Sequence, residues 1–424
     1  MVLLSSAVAT GDPVPLAVDL DGTLLRTNSL IESLAVLARK DPLSLIRLPR
    51  WLLQGRASFK KRVSESVLPD VHTLPYRDGV VSFLRAQKRA GRTLILATAA
   101  DEAIAQAGLT SAKPLGPRTA TIIGTGVGGM HTLENGLYLT LVEQGRPDPL
   151  TVPRLIPSAC PSMLSIRYGS TGPCFAVSSA CSSATQAIGL GVHLIRSGLV
   201  DRAIVGGTED CVTNSAMLAW EALRVLTPDA CRPFSKGRNG MILGAGSAVF
   251  VLEEAEHARA RGAEALAEIA GYGTSADAKD PVRPDAQGAA ACMRNALTDA
   301  NVEAGEIDYV NAHGTGTTAN DATESEALGI VFGDRLAKLP VSSTKPIHGH
   351  ALGAAGALEL VVTIGAVREN IAPPTINWRE ADAKCPVDAV PNEARPMPIR
   401  TALTNSFAFG GINASLIVRR AVAA

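Results

Sequence analysis

The stretch Cys174–Gly191, CFAVSSACSSATQAIGLG, decides the fold. Phe175 to Val177 read as a short buried strand, and from Ser182 an almost wholly apolar helical pattern runs through Ile188, Leu190, Val192, Leu194 and Ile195. Cys181 therefore falls at a strand-to-helix turn. A thiol there meets the positive end of the helix macrodipole, about half an elementary charge, together with exposed backbone N–H groups, and both favour the thiolate. The small neighbours Ser179, Ala180, Ser182, Ser183 and Ala184 leave room for a second molecule at the sulfur. The stretch by itself also admits a buried core cysteine, and the rest of the chain has to decide.

At 424 residues the chain has room for two or three domains or for one large α/β unit. Hydrophobic residues make up 46% and charged residues 19%, the balance of a globular protein rather than a disordered one. Lys plus Arg and Asp plus Glu number 40 each, so no global field recruits nucleic acid or an anionic membrane, and any basic docking surface is local. The seven cysteines are scattered singly with no CxxC pair, which points away from a disulfide framework or zinc site and toward a reducing cytoplasm. MVLLSSAVATGDP has no basic segment before its short apolar run, so no signal peptide is expected, and no apolar run reaches the roughly 18 residues of a membrane span.

The chain changes character near residue 100. Leu16 to Val18 form a short apolar strand that ends in Asp19-Leu20-Asp21-Gly22-Thr23, and a second strand, Thr93 to Ala97, ends in Thr98. Two carboxylates at i and i+2 beyond a strand end can act as nucleophile and general acid and share a Mg²⁺. The segment resembles the haloacid dehalogenase-like phosphatases, which implies Asp19 as nucleophile, Asp21 as acid/base and Thr98 as a phosphoryl-oxygen ligand. The later lysine and acidic pair of that family have no counterpart, because Lys113 lies in a Pro/Gly-rich linker and Glu209-Asp210 belong to the other constellation. Residues 1–100 thus read as a truncated, Rossmann-like fragment without activity. Within it, residues 43–63 carry an apolar and a basic side, read as a helical cap rather than a membrane-surface helix.

Beyond residue 100, Ala120–Gly129 reads as a strand running into glycines that serve close backbone packing, Ala203–Gly207 as a buried strand, and Glu253–Ala267 as a charged surface helix. His131, His193 and His257 have no partner motif and read as structural or exposed. Three further strand ends carry chemistry: Tyr309–Ala312 leads into HGTGT at 313–317, Pro340–Ser343 into TKPIHGHALGAAG at 344–356, and Thr401–Thr404 into NSFAFGGIN at 405–413. An imidazole beside glycine at a strand end is poorly explained by packing, and in an open α/β sheet strand C-termini converge on one crevice. Cys181, His313, His350 and the Phe409 backbone are therefore expected to meet.

With these motifs in hand, residues 101–424 resemble the elongating β-ketoacyl-acyl carrier protein synthases of the thiolase fold, through SSACSSA, NAHGTGT, SSTKPIHGHALGAAGALE and NSFAFGG. The Cys-His-His set separates them from chain-starting relatives, which pair Cys with His and Asn, and from thiolases, which use a second cysteine. NSFAFGG and the HGH before the alanine-rich helix are similar to the nodulation protein E branch. The resemblance implies an α/β, layered α-β-α-β-α fold with halves at 101–255 and 256–424, the first incomplete because the segment with which the family opens is replaced; Leu16–Val18 or Thr93–Ala97 is expected to fill its inner strand.

The same resemblance implies the chemistry. Cys181 takes an acyl group from acyl carrier protein, with the N–H groups of Cys181 and Phe409 as oxyanion hole, and His313 and His350 stabilise the enolate left by malonyl decarboxylation. Lys345 holds the pKa of His350 low, Glu359 completes the network around Lys345, and Thr315 and Thr317 hold the phosphopantetheine arm. No metal or resident cofactor is required, since the phosphopantetheine arrives on the acyl carrier protein; a homodimer in the cytoplasm is expected, with no nucleic acid partner. Phe409 matches the acyl gate, and Ala408 stands where many relatives have glycine, so a positive φ there would be strained. His348 is the rival to His350 and reads as a lining or surface residue. The alternatives are a Mg²⁺-dependent phosphatase and an inactive fusion.

Overall fold

A computed structural model gives the structure of the chain and describes residues 16–18, 94–96, 99–109 and 113–421. The described residues divide into two units between Glu102 and Ala103. In the first, β1 (Leu16–Val18) and β2 (Leu94–Leu96) pair in parallel, Leu16 opposite Leu94 and Val18 opposite Leu96. They form a two-stranded sheet of their own, so neither fills an inner strand of the sheets below. That expectation is corrected: each apolar strand finds its partner in the other. Asp19, Asp21, Thr98 and the 43–63 segment lie outside the described residues.

The chain continues through α1 (Ala99–Gln106), which spans the boundary, into β3 (Thr119–Gly124), α2 (Met130–Leu141), α3 (Thr151–Leu155), α4 (Ala159–Tyr168), β4 (Cys174–Val177), α5 (Ser183–Arg196), β5 (Arg202–Glu209), α6 (Asn214–Ala222), β6 (Gly246–Glu253) and α7 (Ala255–Ala260). A second series follows: β7 (Glu268–Ala276), α8 (Ala286–Ala300), β8 (Tyr309–Asn311), α9 (Thr318–Phe332), β9 (Val341–Ser342), α10 (Lys345–His348), α11 (Ala355–Glu369), the short pair β10 (Ile371–Ala372) and β11 (Arg395–Pro396), then β12 (Thr401–Ala408) and β13 (Ile412–Arg419). The first series builds a four-stranded sheet in the order β4-β3-β5-β6, and the second a five-stranded sheet in the order β7-β13-β12-β8-β9.

The layers follow from which helices are apolar all round. Helices α5 and α11 each pack on strands of both sheets, and α5 buries Ser183, Ala184, Thr185, Ala187, Ile188, Gly189, Gly191 and Val192. Its small residues let two sheets close on one helix layer. A Cβ built on Gly189 would lie 2.4 Å from the Tyr272 ring, and one on Gly124 would lie 2.4 Å from the Ser183 and Ala184 backbone. After β3, a Cβ on Gly128 would lie 2.8 Å from Leu155 O and one on Gly129 2.3 Å from Arg154 O, so these glycines also serve close approach. Helices α8 and α4 cover the outer faces of the five- and four-stranded sheets, completing an α-β-α-β-α order.

Three sequence expectations need correction. The Phe175 strand forms as β4, yet it is the edge of its sheet and Phe175 is 37% exposed rather than buried. The charged helix over 253–267 contracts to α7, because Glu253 ends β6, Gly262 turns the chain at φ +73°, and Glu268 begins β7. The last strand does not stop at Thr404 but runs on to Ala408, paired residue by residue with β13. His131 faces Asp210 at 3.2 Å, His193 lies edge-on to Tyr272 and His257 bonds Glu253, so none belongs to a catalytic cluster. Substituting Gly124 by Ala forces a methyl into the α5 backbone and is expected to cost about 1–3 kcal/mol; thermal denaturation checks this, and an unchanged melting point contradicts the packing argument.

Candidate active site

Strands β8, β9 and β12 run parallel to one another, so the residues that follow them gather at one edge. His313 follows β8, Lys345 and His350 follow β9, and Phe409 follows β12. Across the layers, β4 leads through Ser178–Ala180 to Cys181, where Ala180 adopts φ +49°, a left-handed conformation that a side chain with a Cβ rarely takes. Ser182 is the N-cap of α5, and Ser183 N donates to Ala180 O at 3.2 Å. The turn therefore presents the sulfur ahead of the first helical N–H groups. A buried hydrogen bond of 2.7 Å between the Thr185 and Ser406 hydroxyls ties α5 to β12.

The structure brings Cys181, His313 and His350 together: one ligand atom from each lies within 4.8 Å of the others, and all three side chains are buried. The imidazole rings sit edge to face, centroids 5.3 Å apart at 81°. Lys345, 1% exposed, orders the pair. Its ammonium donates to the Glu359 carboxylate, to the His313 carbonyl and, at 3.3 Å, to His313 Nδ1. An ammonium has only protons to give, so His313 Nδ1 accepts and a neutral His313 carries its proton on Nε2. Nδ1 of His350 is buried with no hydrogen-bond partner among the described residues. A Cys-His-His cluster of this spread is also a candidate metal site, yet a cation donating to His313 Nδ1 repels a second cation and leaves Nε2 protonated, the reverse of what a metal ligand needs.

Burial sets the charge states. It holds both His313 and His350 well below the ordinary imidazole range, with the Lys345 charge the second cause in each, so desolvation rather than Lys345 is the main reason His350 stays neutral. Burial also pushes the Cys181 thiol up to about 12, against the pull of Lys345. The thiolate expected from the helix N-terminus is corrected: at 6% exposure the sulfur loses more by desolvation than the turn returns. Burial pushes the Glu359 carboxyl up as well, against the Lys345 ammonium.

Thr315 and Thr317 line the same cavity, about 280 Å³, as Cys181, His313, His350 and Phe409, and their hydroxyls bond each other at 2.9 Å. Thr317 doubles as the N-cap of α9. Ala408 ends β12 and is absent from the positive-φ residues; the positive φ values fall on Gly410 (+82°) and Gly411 (+67°), so no strain at Ala408 restricts the gate. His348 is tied to Thr344 and to the Gly349 carbonyl and does not join the cluster.

Sequence reasoning missed several residues. Glu324, fully buried and pushed up by burial to about 7, accepts from His313 N at 2.8 Å and Gly314 N at 2.7 Å and so fixes the histidine loop. Asp321, on the same helix, accepts from Gly316 N and Phe234 N. Glu209, which the sequence set in this constellation without a role, joins Thr125, Gly126 and Gly353 and ties β3 and the HGHALG loop together. The signal for the first two was present as acidic residues spaced three apart on the buried face of α9. Trp220, on α6, was missed altogether and stacks on Phe409.

A buried thiol facing two neutral imidazoles, at the mouth of a layered α-β-α-β-α fold, defines a thiol acyltransferase of the condensing type. Family comparison agrees: residues 52–258 match the N-terminal domain and residues 266–379 the C-terminal domain of beta-ketoacyl synthase. The first match opens within the segment whose DLDGT motif resembles the phosphatases. Nodulation protein E of Rhizobium sp. (strain N33) is 45% identical over 330 residues, 77% of this chain and 82% of that protein. The 3-oxoacyl-[acyl-carrier-protein] synthase 2 of Coxiella burnetii (strain RSA 493 / Nine Mile phase I) is 40% identical over 385 residues, 87% of this chain and 93% of that one. Among solved structures, a type II PKS acyl-carrier protein in complex with its ketosynthase bound to the hexaketide matches with a TM-score of 0.73 at 29% identity, covering 76% of this chain and 83% of that one. The chain belongs to the β-ketoacyl synthase family. No described helix is long and apolar enough to cross a membrane.

With the thiol pushed up to about 12, its thiolate fraction grows tenfold per pH unit throughout the neutral range. Iodoacetamide alkylation of Cys181, followed by mass spectrometry, is expected to accelerate about tenfold per unit from pH 6 to 9. A plateau below pH 8 would show that the helix N-terminus outweighs burial.

Proposed function

We propose that the chain catalyses the decarboxylating condensation of malonyl-acyl carrier protein with an acyl group held on Cys181, giving 3-oxoacyl-acyl carrier protein. The observation that carries this reading is the buried Cys181-His313-His350 cluster with Lys345 donating to His313 Nδ1. A thiol that is protonated at neutral pH needs an acceptor for its proton as it attacks. His313 has none to offer, because Nδ1 is occupied by Lys345 and Nε2 carries a proton; His350 has a ring nitrogen free. We assign to His350 the role of taking the thiol proton while sulfur bonds to the acyl carbonyl and of returning it to the departing carrier thiolate. The carbonyl oxygen of that step falls to the N–H groups of Cys181 and Phe409.

In the second half, the malonyl thioester oxygen accepts from both imidazoles. The C–C bond to the carboxylate breaks, CO₂ leaves, and the electron pair stays as an enolate whose charge the two donors stabilise. The enolate carbon attacks the Cys181 thioester, the C–S bond breaks with its electron pair going to sulfur, and the resulting thiolate takes the one proton that the overall condensation consumes from solvent. Neutral donors suit this role, since an imidazolium would give its proton to the enolate and end the condensation. Thr315 and Thr317 hold the phosphopantetheine arm, which arrives on the carrier, so the chain's own side chains carry the chemistry without a resident cofactor or metal. The cytoplasm suits the seven unpaired cysteines.

The acyl carrier protein is the partner this reading requires, and the exposed Arg224 and Arg283 at the cavity rim offer it local positive charge. A homodimer is also part of the reading. The edge strand β4 leaves Cys174 and Phe175 exposed, an unpaired strand edge bearing an uncovered aromatic of the kind that marks an interface. Native mass measurement should give a dimer, and Phe175→Asp should shift it toward monomer; a monomeric parent removes the dimer from the account.

The strand pairing in residues 1–100 bears on the alternative reading, a Mg²⁺-dependent phosphatase, although the lysine and acidic pair of that family have no counterpart here. The strands leading to DLDGT and to Thr98 pair in parallel and in register, as a phosphatase-like segment with Asp19 as nucleophile and Asp21 as acid/base requires. Mg²⁺-dependent hydrolysis of p-nitrophenyl phosphate that is lost in Asp19→Asn would establish it, and its absence in the parent would end it.

The condensation reading is tested by CO₂ release from malonyl-acyl carrier protein. His313→Ala is expected to lower the rate by about 10²–10³, while Cys181→Ala abolishes acyl transfer to the enzyme and overall condensation. Equal rates in the parent and His313→Ala would contradict the mechanism.

A further inference from the structure

Phe409 leaves β12 at the tip of its hairpin with β13, followed by Gly410 and Gly411 in positive φ, and Gly411 N donates to Ala408 O at 3.1 Å. A Cβ built on Gly410 would meet only Ile412 side-chain atoms, at 3.6 Å and beyond. The tip backbone is held by the 277–281 segment, Gly410 N donating to Pro281 O at 2.8 Å and Asp277 N to Gly411 O at 2.9 Å, but these bonds fix the backbone and leave the direction of the Phe409 ring to whatever packs on it. That packing comes from a distant part of the sequence: Trp220 stacks on Phe409, ring centroids 5.8 Å apart and planes 22° from parallel. Both rings line the cavity into which Cys181 opens. Trp220 and Ala408 also pack on the same small buried cluster of Cys181, Cys211 and Leu352.

The helix that carries Trp220 is held at its start. Thr213 caps α6 by accepting from Ala216 N, and Glu134 accepts from Ser215 N at 2.7 Å. The indole is thus presented from a fixed element to a ring whose turn is anchored through its backbone alone. In such a pair the fixed partner dictates where the other one rests.

We propose that Trp220 is a positioning residue that grades acyl chains: its indole holds the Phe409 ring against the cavity beside the thiol, and a chain too long for the closed cavity is seated on Cys181 only when the stack parts. This rests on the acyl-transfer reading above. An offset aromatic pair shifts such a closed-to-open equilibrium by a factor of about two to ten beyond what burial alone gives. A stack of that strength opens in every turnover yet still discriminates between chain lengths.

The test uses the full chain with a series of saturated acyl-acyl carrier proteins of increasing length, recording kcat and KM for thioester formation. Trp220→Ala is expected to raise kcat/KM for the longest chains about two- to tenfold relative to the shortest, while Trp220→Phe, which keeps a stacking partner, retains the parent's order of preference. Trp220→Leu, bulky but unable to stack, is read in the same way should the alanine variant not fold by thermal melting. Acylation of Cys181 should also change tryptophan emission in the parent and not in Trp220→Phe. If Trp220→Ala and Trp220→Leu change every chain length by one common factor, or leave the profile as it was, Trp220 does not position the gate. A parent that forms no thioester on Cys181 would instead overturn the acyl-transfer reading itself.

Discussion

The site depends on one buried ammonium. Lys345 has three protons and three acceptors, the Glu359 carboxylate, the His313 carbonyl and His313 Nδ1. A lysine at 1% exposure survives only with such company. Satisfying it settles two properties of the site together: the tautomer of His313 and a positive potential that adds to burial in keeping both imidazoles neutral. The asymmetry between a histidine that can only donate and one with a nitrogen to spare follows from where that ammonium sits.

The fold exists, in this view, to bring four strand ends to one place without water. Strands β8, β9 and β12 are parallel neighbours, so their following residues meet, and the cysteine turn arrives from the opposite sheet across the middle helices. That approach is close enough to need glycine at Gly124 and Gly189 and small residues along α5. Close packing excludes water, and the loss of water is what raises the thiol and lowers the imidazoles. The same burial that makes Cys181 a reluctant thiolate keeps His313 and His350 neutral donors.

Much of this was legible in the sequence where a residue's chemistry contradicted its setting. Histidine beside glycine after an apolar strand, and cysteine between serines before an apolar helix, have no packing rationale, and the structure places them together. Lys345 and Glu359 were legible through family resemblance rather than spacing. What escaped were effects of the third dimension. The charge state of Cys181 depends on how deeply the turn is covered, which a helix N-terminus does not reveal. Trp220 lies 189 residues before Phe409 and on a helix whose pattern gives no hint of a partner. Asp321 and Glu324 turn inward on α9 while Glu326 faces out, and only the fold shows which side of that helix is buried. The exposure of β4 likewise reflects its place at a sheet edge, which an apolar run of four residues does not announce.

The most direct test of the central claim is the protonation and tautomer of His313, read from side-chain ¹⁵N resonances of the protein labelled at histidine and assigned with His313→Gln. A neutral ring with its proton on Nε2 from pH 6 to 9, changed by Lys345→Met, is the predicted result. An imidazolium, or a proton on Nδ1, would contradict the arrangement from which the roles of His313 and His350 are drawn.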